Sequence, residues 1–167
     1  MANRIPVLWR RPSYNIITWD DLSNAIVSNQ LHVLGRSHEV QDTYREEMEA
    51  ISKKFAFPFH YLLDRVFDVG LDVDSNTGLL IARRSQYEND VRFRKNDYPY
   101  HMETGIEHYI LWAGSASALE SATNTSNSMR EFIPDHLHQC EMRYFVNPVN
   151  LQSVKEICHA HVFFRTT

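Results

Sequence analysis

The chain has little cysteine and little glycine, and each shortage excludes a class of site. Its two cysteines, Cys140 and Cys158, lack the close spacing of a metal-binding motif. We expect them to be reduced thiols in a cytosolic protein. Only five glycines occur in 167 residues, and no glycine-rich loop of the kind that cradles phosphate is present.

Excess positive charge and long apolar runs are also missing. The net charge is −4, with 17 basic against 21 acidic residues, so we expect no nucleic-acid partner. No apolar run approaches the roughly 20 residues that span a membrane. The first residues, MANRIPVLWRRPSYN, lack the apolar core of a secretory signal. We therefore expect no membrane partner and a cytoplasmic location, with the nucleus also open.

The remaining composition is that of a soluble globular protein, with 43% hydrophobic and 23% charged residues. The length predicts a single domain, 1–167, that buries a sizeable core. Residues 1–17 are expected to form an N-terminal extension. The segment GSASALESATNTSNS, residues 114–128, is rich in small polar residues and predicts a mobile loop.

Helices are predicted in the first part of the chain. Thr18 is a candidate N-cap for a helix that ends near Gln30. Ser37 is a candidate N-cap for a second helix that ends near Phe55, and Pro58 can open a third. Apolar residues recur at three- and four-residue steps along these segments, which indicates faces that pack on a core. We interpret the helices as scaffold.

Strands are predicted in the second part. Residues 106–112, 141–147 and 159–165 are rich in aromatic and branched side chains, and 91–95 alternates briefly. Residues 148–158 are expected to hold one short helix. The sequence thus predicts an α+β fold, with N-terminal helices followed by a small, mostly antiparallel sheet and a helix packed on it.

Alternation along the last two strands predicts two different faces. Ala160, Val162 and Phe164 form an apolar core face of the last strand. The second face of the two strands combines histidines, arginines and an asparagine with phenylalanines: Glu141, Arg143, Phe145, Asn147, His159, His161, Phe163 and Arg165. The pattern leaves open which face of strand 106–112, and hence whether His108, joins this set.

The second face has the chemistry of a site for an anionic, partly aromatic ligand. Arginine offers a planar fork of donors to phosphate; histidine can donate to phosphate or move a proton near neutral pH. We expect Arg143 to be the partner of the anion. An open sheet face exposed to solvent would show the same alternation, so that reading stays open.

Metal and nucleophilic chemistry are less well supported. Two histidines at i and i+2 can bind zinc or iron, but nothing fixes Glu107, His108 or Glu141 as a third ligand. We expect no metal and no cofactor. The pattern is similar to the histidine-triad hydrolases, except that Phe163 takes the place of the third histidine, so that assignment is rejected. Cys158 alternates with His159 and is interpreted as structural.

Three long motifs resemble one known family. They are TWDDLSNAIVSNQLHVLGRS (18–37), NDYPYHMETGIEHYILW (96–112) and FVNPVNLQSVKEICHAHVFFR (145–165). They are similar to the fungal N-acetylglucosamine-induced protein family, a domain of unknown function. The resemblance covers 18–165 and departs at 70–90 and 114–128. It implies a fungal intracellular protein connected with the response to amino sugars.

The resemblance also adds motif positions to the candidate site. Asn96, Asp97 and Tyr98 are expected either to hold a turn through side-chain bonds to the backbone or to face the ligand. Gln152 and Ser153 fall near the start of the predicted short helix, where free N–H groups attract anions. The complete set of candidate ligand-binding residues is Asn96, Asp97, Tyr98, Arg143, Asn147, Gln152, Ser153, His159, His161 and Arg165.

The function predicted from these residues is the binding of a phosphorylated small molecule, most plausibly a nucleotide or nucleotide-sugar. One alternative is a hydrolase or transferase on the same ligands, with His159 or His161 as general acid or base and His108 as a further candidate. Another is a non-catalytic protein-interaction module. The oligomeric state is open.

Overall fold

Three helices form the N-terminal part of the computed structural model, which describes residues 12–84 and 86–166. They are α1 (Trp19–Val27), α2 (His38–Lys54) and α3 (Pro58–Phe67). The Thr18 hydroxyl accepts from the Asp21 backbone N–H, and the Asp21 carboxylate accepts from the Thr18 backbone N–H. These two bonds complete a capping box. Ser37 caps α2. The predicted starts are confirmed. Helix α1 ends at Val27 rather than near Gln30, and α2 ends at Lys54 rather than near Phe55.

Two antiparallel sheets follow the helices. β1 (Leu71–Val73) and β2 (Leu80–Ala82) form a hairpin. The main sheet contains β3 (Val91–Lys95), β4 (Ile106–Ala113), β5 (Glu141–Phe145) and β6 (Cys158–Arg165). Its strand order is β3-β4-β6-β5, with every neighbouring pair antiparallel. The predicted α+β class is confirmed.

The predicted loop at 114–128 is wrong, because this segment forms two short helices. They are α4 (Ala116–Thr123) and α5 (Ser126–Arg130), and Ser115 and Thr125 cap their first turns. The hydroxyl residues that favoured a loop therefore serve partly as caps. Leu119 and Ala122 in the segment, and Met129 directly after it, are buried against the sheet.

Both faces of β6 are buried. Ala160, Val162 and Phe164 pack under α4 and α5, as predicted for a core face. The second face is covered as well, since Phe163 is 0% exposed and packs in a cluster with α1. The reading of the second face as open, solvent-exposed sheet is therefore wrong.

Helix α3 covers the other end of the second face. Its Leu63 and Val66 pack with Ile157 and Trp112, the residues beside the start of β6 and at the end of β4. Helices α1 and α3 thus stand at opposite ends of the same sheet face, and the candidate site lies on that face between them.

Most of the predicted N-terminal extension, residues 1–11, lies outside the described part, while Ile17 at its end is buried and bridges to Met102. The predicted helix at 148–158 differs from expectation. In 148–158 the described structure has only a three-residue 3₁₀ turn, Val149–Leu151. Gln152 is extended, and its side-chain amide donates to the Asn147 carbonyl at 2.7 Å, so no helix starts there.

Two further observations concern the chain as a whole. Cys140 and Cys158 are free thiols, partly buried against the apolar cluster between the sheet and helices α4 and α5. Among residues 12–84 and 86–166, no helix combines the length and apolar character needed to cross a bilayer.

Candidate functional site

A cavity of about 100 Å³ lies between the second sheet face and helices α2 and α3. Strand register decides which side chains reach it. Ile110 pairs with His161 and Trp112 pairs with His159, so the even-numbered residues of β4 share the face of the β6 histidines. His108, opposite Phe163, lies on this face too, which settles the question that the sequence leaves open.

Aromatic and cationic side chains make up much of the cavity wall. The aromatic ones come from α2, α3, β4 and the 96–100 segment, and the cationic ones stand mostly toward solvent. The aromatic residues are Tyr44, Tyr61, Tyr98, Tyr100 and Trp112, and the charged residues are Arg36, Arg65, Arg94, Lys95 and Asp97. The Lys95 ammonium bonds Glu107 on the other sheet face. Among the described residues of the wall, three guanidinium groups thus face one carboxylate, although the whole chain carries a net charge of −4.

A directed chain of hydrogen bonds runs through the buried histidines. The Tyr100 backbone N–H donates to His108 Nδ1 at 3.1 Å, so the single proton of the neutral ring lies on Nε2. That Nε2–H donates to His161 Nδ1 at 2.9 Å. His161 therefore carries its proton on Nε2, which lies 2.8 Å from the side-chain amide of Asn147. Donor count assigns the amide oxygen to this contact.

His159 is held in the opposite tautomer. Its Nδ1–H donates to the Ile157 carbonyl at 2.8 Å, which leaves Nε2 as an acceptor. The side chain is 6% exposed. Burial holds the pKa of His159 below its ordinary value, against the weaker opposing effect of the Ile157 bond. The ring is therefore neutral near pH 7 and presents a lone pair on the cavity wall.

Two side-chain hydrogen bonds join the turn at 96–98 to helices α2 and α3 at the cavity mouth. The guanidinium of Arg65 on α3 donates to Asp97 at 2.8 Å, and Tyr98 donates its hydroxyl proton to Glu47 on α2. Burial, and then this hydrogen bond, raises the pKa of Tyr98. Asn96 Oδ1 accepts from the Tyr98 backbone at 3.0 Å. The turn-holding role expected for Asn96 is thus observed.

Seven of the ten candidate ligand-binding residues line the cavity. They are Asn96, Asp97, Tyr98, Asn147, Ser153, His159 and His161. Gln152 lies behind Asn147. Arg143 and Arg165 both lie over the Trp19 ring of α1, at 5.3 and 5.1 Å, and Arg165 is also bound to Glu141. The structure therefore does not bring Arg143 to the β6 histidines, because α1 covers that end of the face.

The cationic residues of the wall are the part that sequence reasoning missed. Arg94 belongs to the brief alternation of 91–95, and Arg65 lies beside the apolar stripe of α3. Tyr44 and Met48 of α2 are buried, and they also line the cavity. The sequence signal for the missed cations was Arg65, a cation next to the apolar stripe of α3.

The histidine geometry also bears on metal binding. The direct bond between His108 and His161 occupies one nitrogen of each ring. Glu107 points to the other sheet face and bonds Tyr109 and Lys95, while Glu141 bonds Arg165. In the described ranges, no three histidine, cysteine or carboxylate side chains are grouped to hold a metal ion.

Comparison with known proteins identifies the family. The model for a protein family of unknown function, DUF3605, matches residues 18–165. The chain belongs to this family. The N-acetylglucosamine-induced protein 1 of Candida albicans is 23% identical, over 89% of this chain and 68% of its own length. The uncharacterized protein YPL067C of Saccharomyces cerevisiae is 28% identical, over 86% of this chain and 76% of its own length.

A solved structure supports the fold. The crystal structure of HTC1 superposes with a TM-score of 0.63 at 24% identity, covering 90% of this chain and 85% of that one. At that identity the likeness concerns the fold. The family resemblance read from the sequence is confirmed, and two of its relatives are fungal proteins.

Proposed function

We propose that this protein binds a phosphorylated small molecule, a nucleotide or nucleotide-sugar, in the cavity between α2, α3 and the second sheet face. The observation that carries the proposal is the charge of the wall: Arg36, Arg65 and Arg94 stand around one aromatic cavity. Cations clustered on an acidic protein raise the local concentration of anions, and guanidinium groups pair well with phosphate.

The carboxylate near these cations leaves room for an anion. Arg65 is paired with Asp97. This pair is exposed, with 40% of the Arg65 side chain open to solvent. Exposed pairs of this kind are weak. A phosphate that approaches the mouth can therefore take over the cations with little loss of protein stability.

The aromatic wall supports a ligand with a ring. Tyr61 and Trp112 offer faces on which a base or the C–H side of a sugar can stack, and tyrosine and tryptophan combine apolar area with a polar tip. Ligand pockets typically combine such walls with a few polar groups that fix orientation. The Candida relative is named for induction by N-acetylglucosamine, an amino sugar, which supports a nucleotide-sugar as the first compound to test.

Catalysis is the second candidate, and the hydrogen bonds restrict it to one residue. Both ring nitrogens of His108 and of His161 hold bonds within the protein. A general base must reach the substrate with an available lone pair. Only His159 among these three presents one in the described structure, so an enzymatic role would rest on that residue.

A binding screen with matched charge variants tests the proposal. Thermal-shift measurements with nucleotides and sugar phosphates should raise the melting temperature of the parent protein, since a ligand stabilises the folded state by mass action. Arg65→Gln should weaken binding of the best compound about ten- to a hundredfold, the equivalent of one charged hydrogen bond. Arg143→Gln removes the same charge outside the cavity and should leave affinity within about twofold.

Two outcomes would contradict the proposal. If no compound of the panel stabilises the parent, the cavity is not a site for this ligand class. If both variants weaken binding equally, the ligand responds to overall charge and the cavity wall has no special part.

A further inference from the structure

We infer an orientation for the ligand: a neutral sugar group enters the cavity and donates a hydroxyl or amide hydrogen to His159 Nε2, while the phosphate remains at the mouth. This inference rests on the proposed function and goes beyond it by naming the group that is recognised inside. The observation behind it is a buried imidazole whose hydrogen-bonding state is set by the backbone.

The tautomer of His159 decides which ligand groups it can meet. Its only ring proton is committed to the Ile157 carbonyl at 2.8 Å, so Nε2 is a pure acceptor. No hydrogen bond to Nε2 occurs among the described residues, and Nε2 is not one of their buried atoms without a partner. This nitrogen is therefore open to the cavity, where a ligand hydroxyl or amide N–H can donate to it.

A phosphate at this position would be unfavourable. Its oxygens carry lone pairs and, when ionised, no hydrogen, so they would face the lone pair of His159. Protonation of the ring would reverse this preference, but burial disfavours the charged form. The wall of the cavity at His159 therefore selects a neutral donor.

Exposed guanidinium groups occupy the other end. Arg65 and Arg94 are exposed, whereas His159 is 6% exposed. Arg36 is buried, but its guanidinium is bonded to the Tyr98 carbonyl and to Gln41. The neutral acceptor thus lies inside and the exposed guanidinium groups lie at the mouth. The polarity of the cavity matches a molecule that carries phosphate at one end and hydroxyl or amide donors at the other.

The size of the cavity supports entry of a single group. Its volume of about 100 Å³ is well below the roughly 300 Å³ at which pockets enclose a drug-sized molecule. One ring of a larger ligand is therefore the part that enters. The centroids of the Trp112 and His159 rings lie 5.1 Å apart. A sugar ring that donates a hydrogen bond to His159 would therefore lie beside the Trp112 ring.

Two conservative variants separate the two nitrogens of His159. In His159→Asn the side-chain amide can still donate to the Ile157 carbonyl, but nothing reaches the position of Nε2. In His159→Gln the longer side chain places an amide oxygen near that position, so an acceptor is retained. The pair therefore distinguishes loss of the acceptor from loss of packing.

The experiment compares uridine diphosphate with its N-acetylglucosamine conjugate by calorimetric titration of the full chain. The parent should bind the conjugate at least tenfold more tightly, because the sugar adds the bond to His159. His159→Asn should bring the two affinities within about twofold of each other, and His159→Gln should keep most of the preference.

The possible failures are distinguishable. If the parent binds both compounds equally, or if His159→Asn keeps the preference, the orientation is overturned while the proposed function stands. If the parent binds neither compound, the proposed function fails and the orientation with it.

A second readout needs no variant. In the parent protein, saturation with the conjugate should shift the ¹⁵N resonance of His159 Nε2 and leave that of Nδ1 in place. An unchanged Nε2 resonance at saturation would also overturn the orientation.

Discussion

His108 and His161, on neighbouring strands, are joined by one directed hydrogen bond of 2.9 Å from Nε2 to Nδ1. The direction is set by the backbone N–H of Tyr100, which fixes the proton of His108. Both rings are nearly inaccessible, at 2% and 6% exposure. The pair is therefore a structural part of the sheet face, and it holds the wall on which His159 stands.

Breaking this pair should destabilise the fold. His161→Phe leaves the Nε2–H of His108 and the amide of Asn147 without their partner, and each loss is worth about 1–3 kcal/mol. We expect the free energy of unfolding, measured by chemical denaturation, to fall by roughly 2–6 kcal/mol. His32→Phe makes the same change at an exposed histidine and should alter it by less than about 0.5 kcal/mol. Equal stabilities for the two variants would contradict the network.

Stability should depend on pH through His159. Burial lowers the pKa of His159 in the folded state below the unfolded value near 6.5, so the unfolded chain binds more protons below that pH. The contribution is complete above about pH 6.5 and is lost as the pH falls toward the folded pKa. Between pH 7 and pH 5 the parent should lose more stability than His159→Asn.

The comparison with His159→Asn isolates this effect. His60, whose pKa burial also lowers, is present in both proteins and cancels in the difference. Identical losses in parent and variant, measured by denaturation at each pH, would show that folding does not lower the pKa of His159.

The segment 114–128 should be needed for stability. Leu119 is 7% exposed and packs in the core beneath β6. Leu119→Ala is expected to lower the free energy of unfolding by about 2–5 kcal/mol through the lost contacts and the void it leaves. Glu120→Ala, at an exposed position of the same helix, is the control. A melting temperature that Leu119→Ala leaves unchanged would restore the loop interpretation.

The sequence predicts the elements better than it predicts the site. Caps at Thr18 and Ser37 and period-two alternation in β6 are local signals, and local signals define helix starts and strand faces. The same alternation correctly separates Ala160, Val162 and Phe164 from the histidines. Residues 114–128 mislead because serine and threonine favour loops and helix caps alike.

The composition of the site depends on long-range packing. Whether Arg143 or Arg65 meets the β6 histidines is decided by where α1 and α3 cover the sheet, and strand alternation carries no information about that. Helix α1 packs over β5, and its Trp19 holds Arg143 away from the cavity. Helix α3 brings Arg65 to the cavity. For the same reason, the fixed tautomers of His108 and His159 follow only from the backbone groups of Tyr100 and Ile157.

The most direct test of the account is to ask which tryptophan senses the ligand. Trp112 lines the cavity, whereas Trp19 lies under Arg143 and Arg165, with its indole N–H bonded to Glu141. In ¹⁵N-labelled protein titrated with the N-acetylglucosamine conjugate of uridine diphosphate, the indole signal of Trp112, assigned with Trp112→Phe, should move to saturation while that of Trp19 stays in place. Movement of the Trp19 signal alone would place the ligand at the arginines of the opposite end and contradict the cavity as the site.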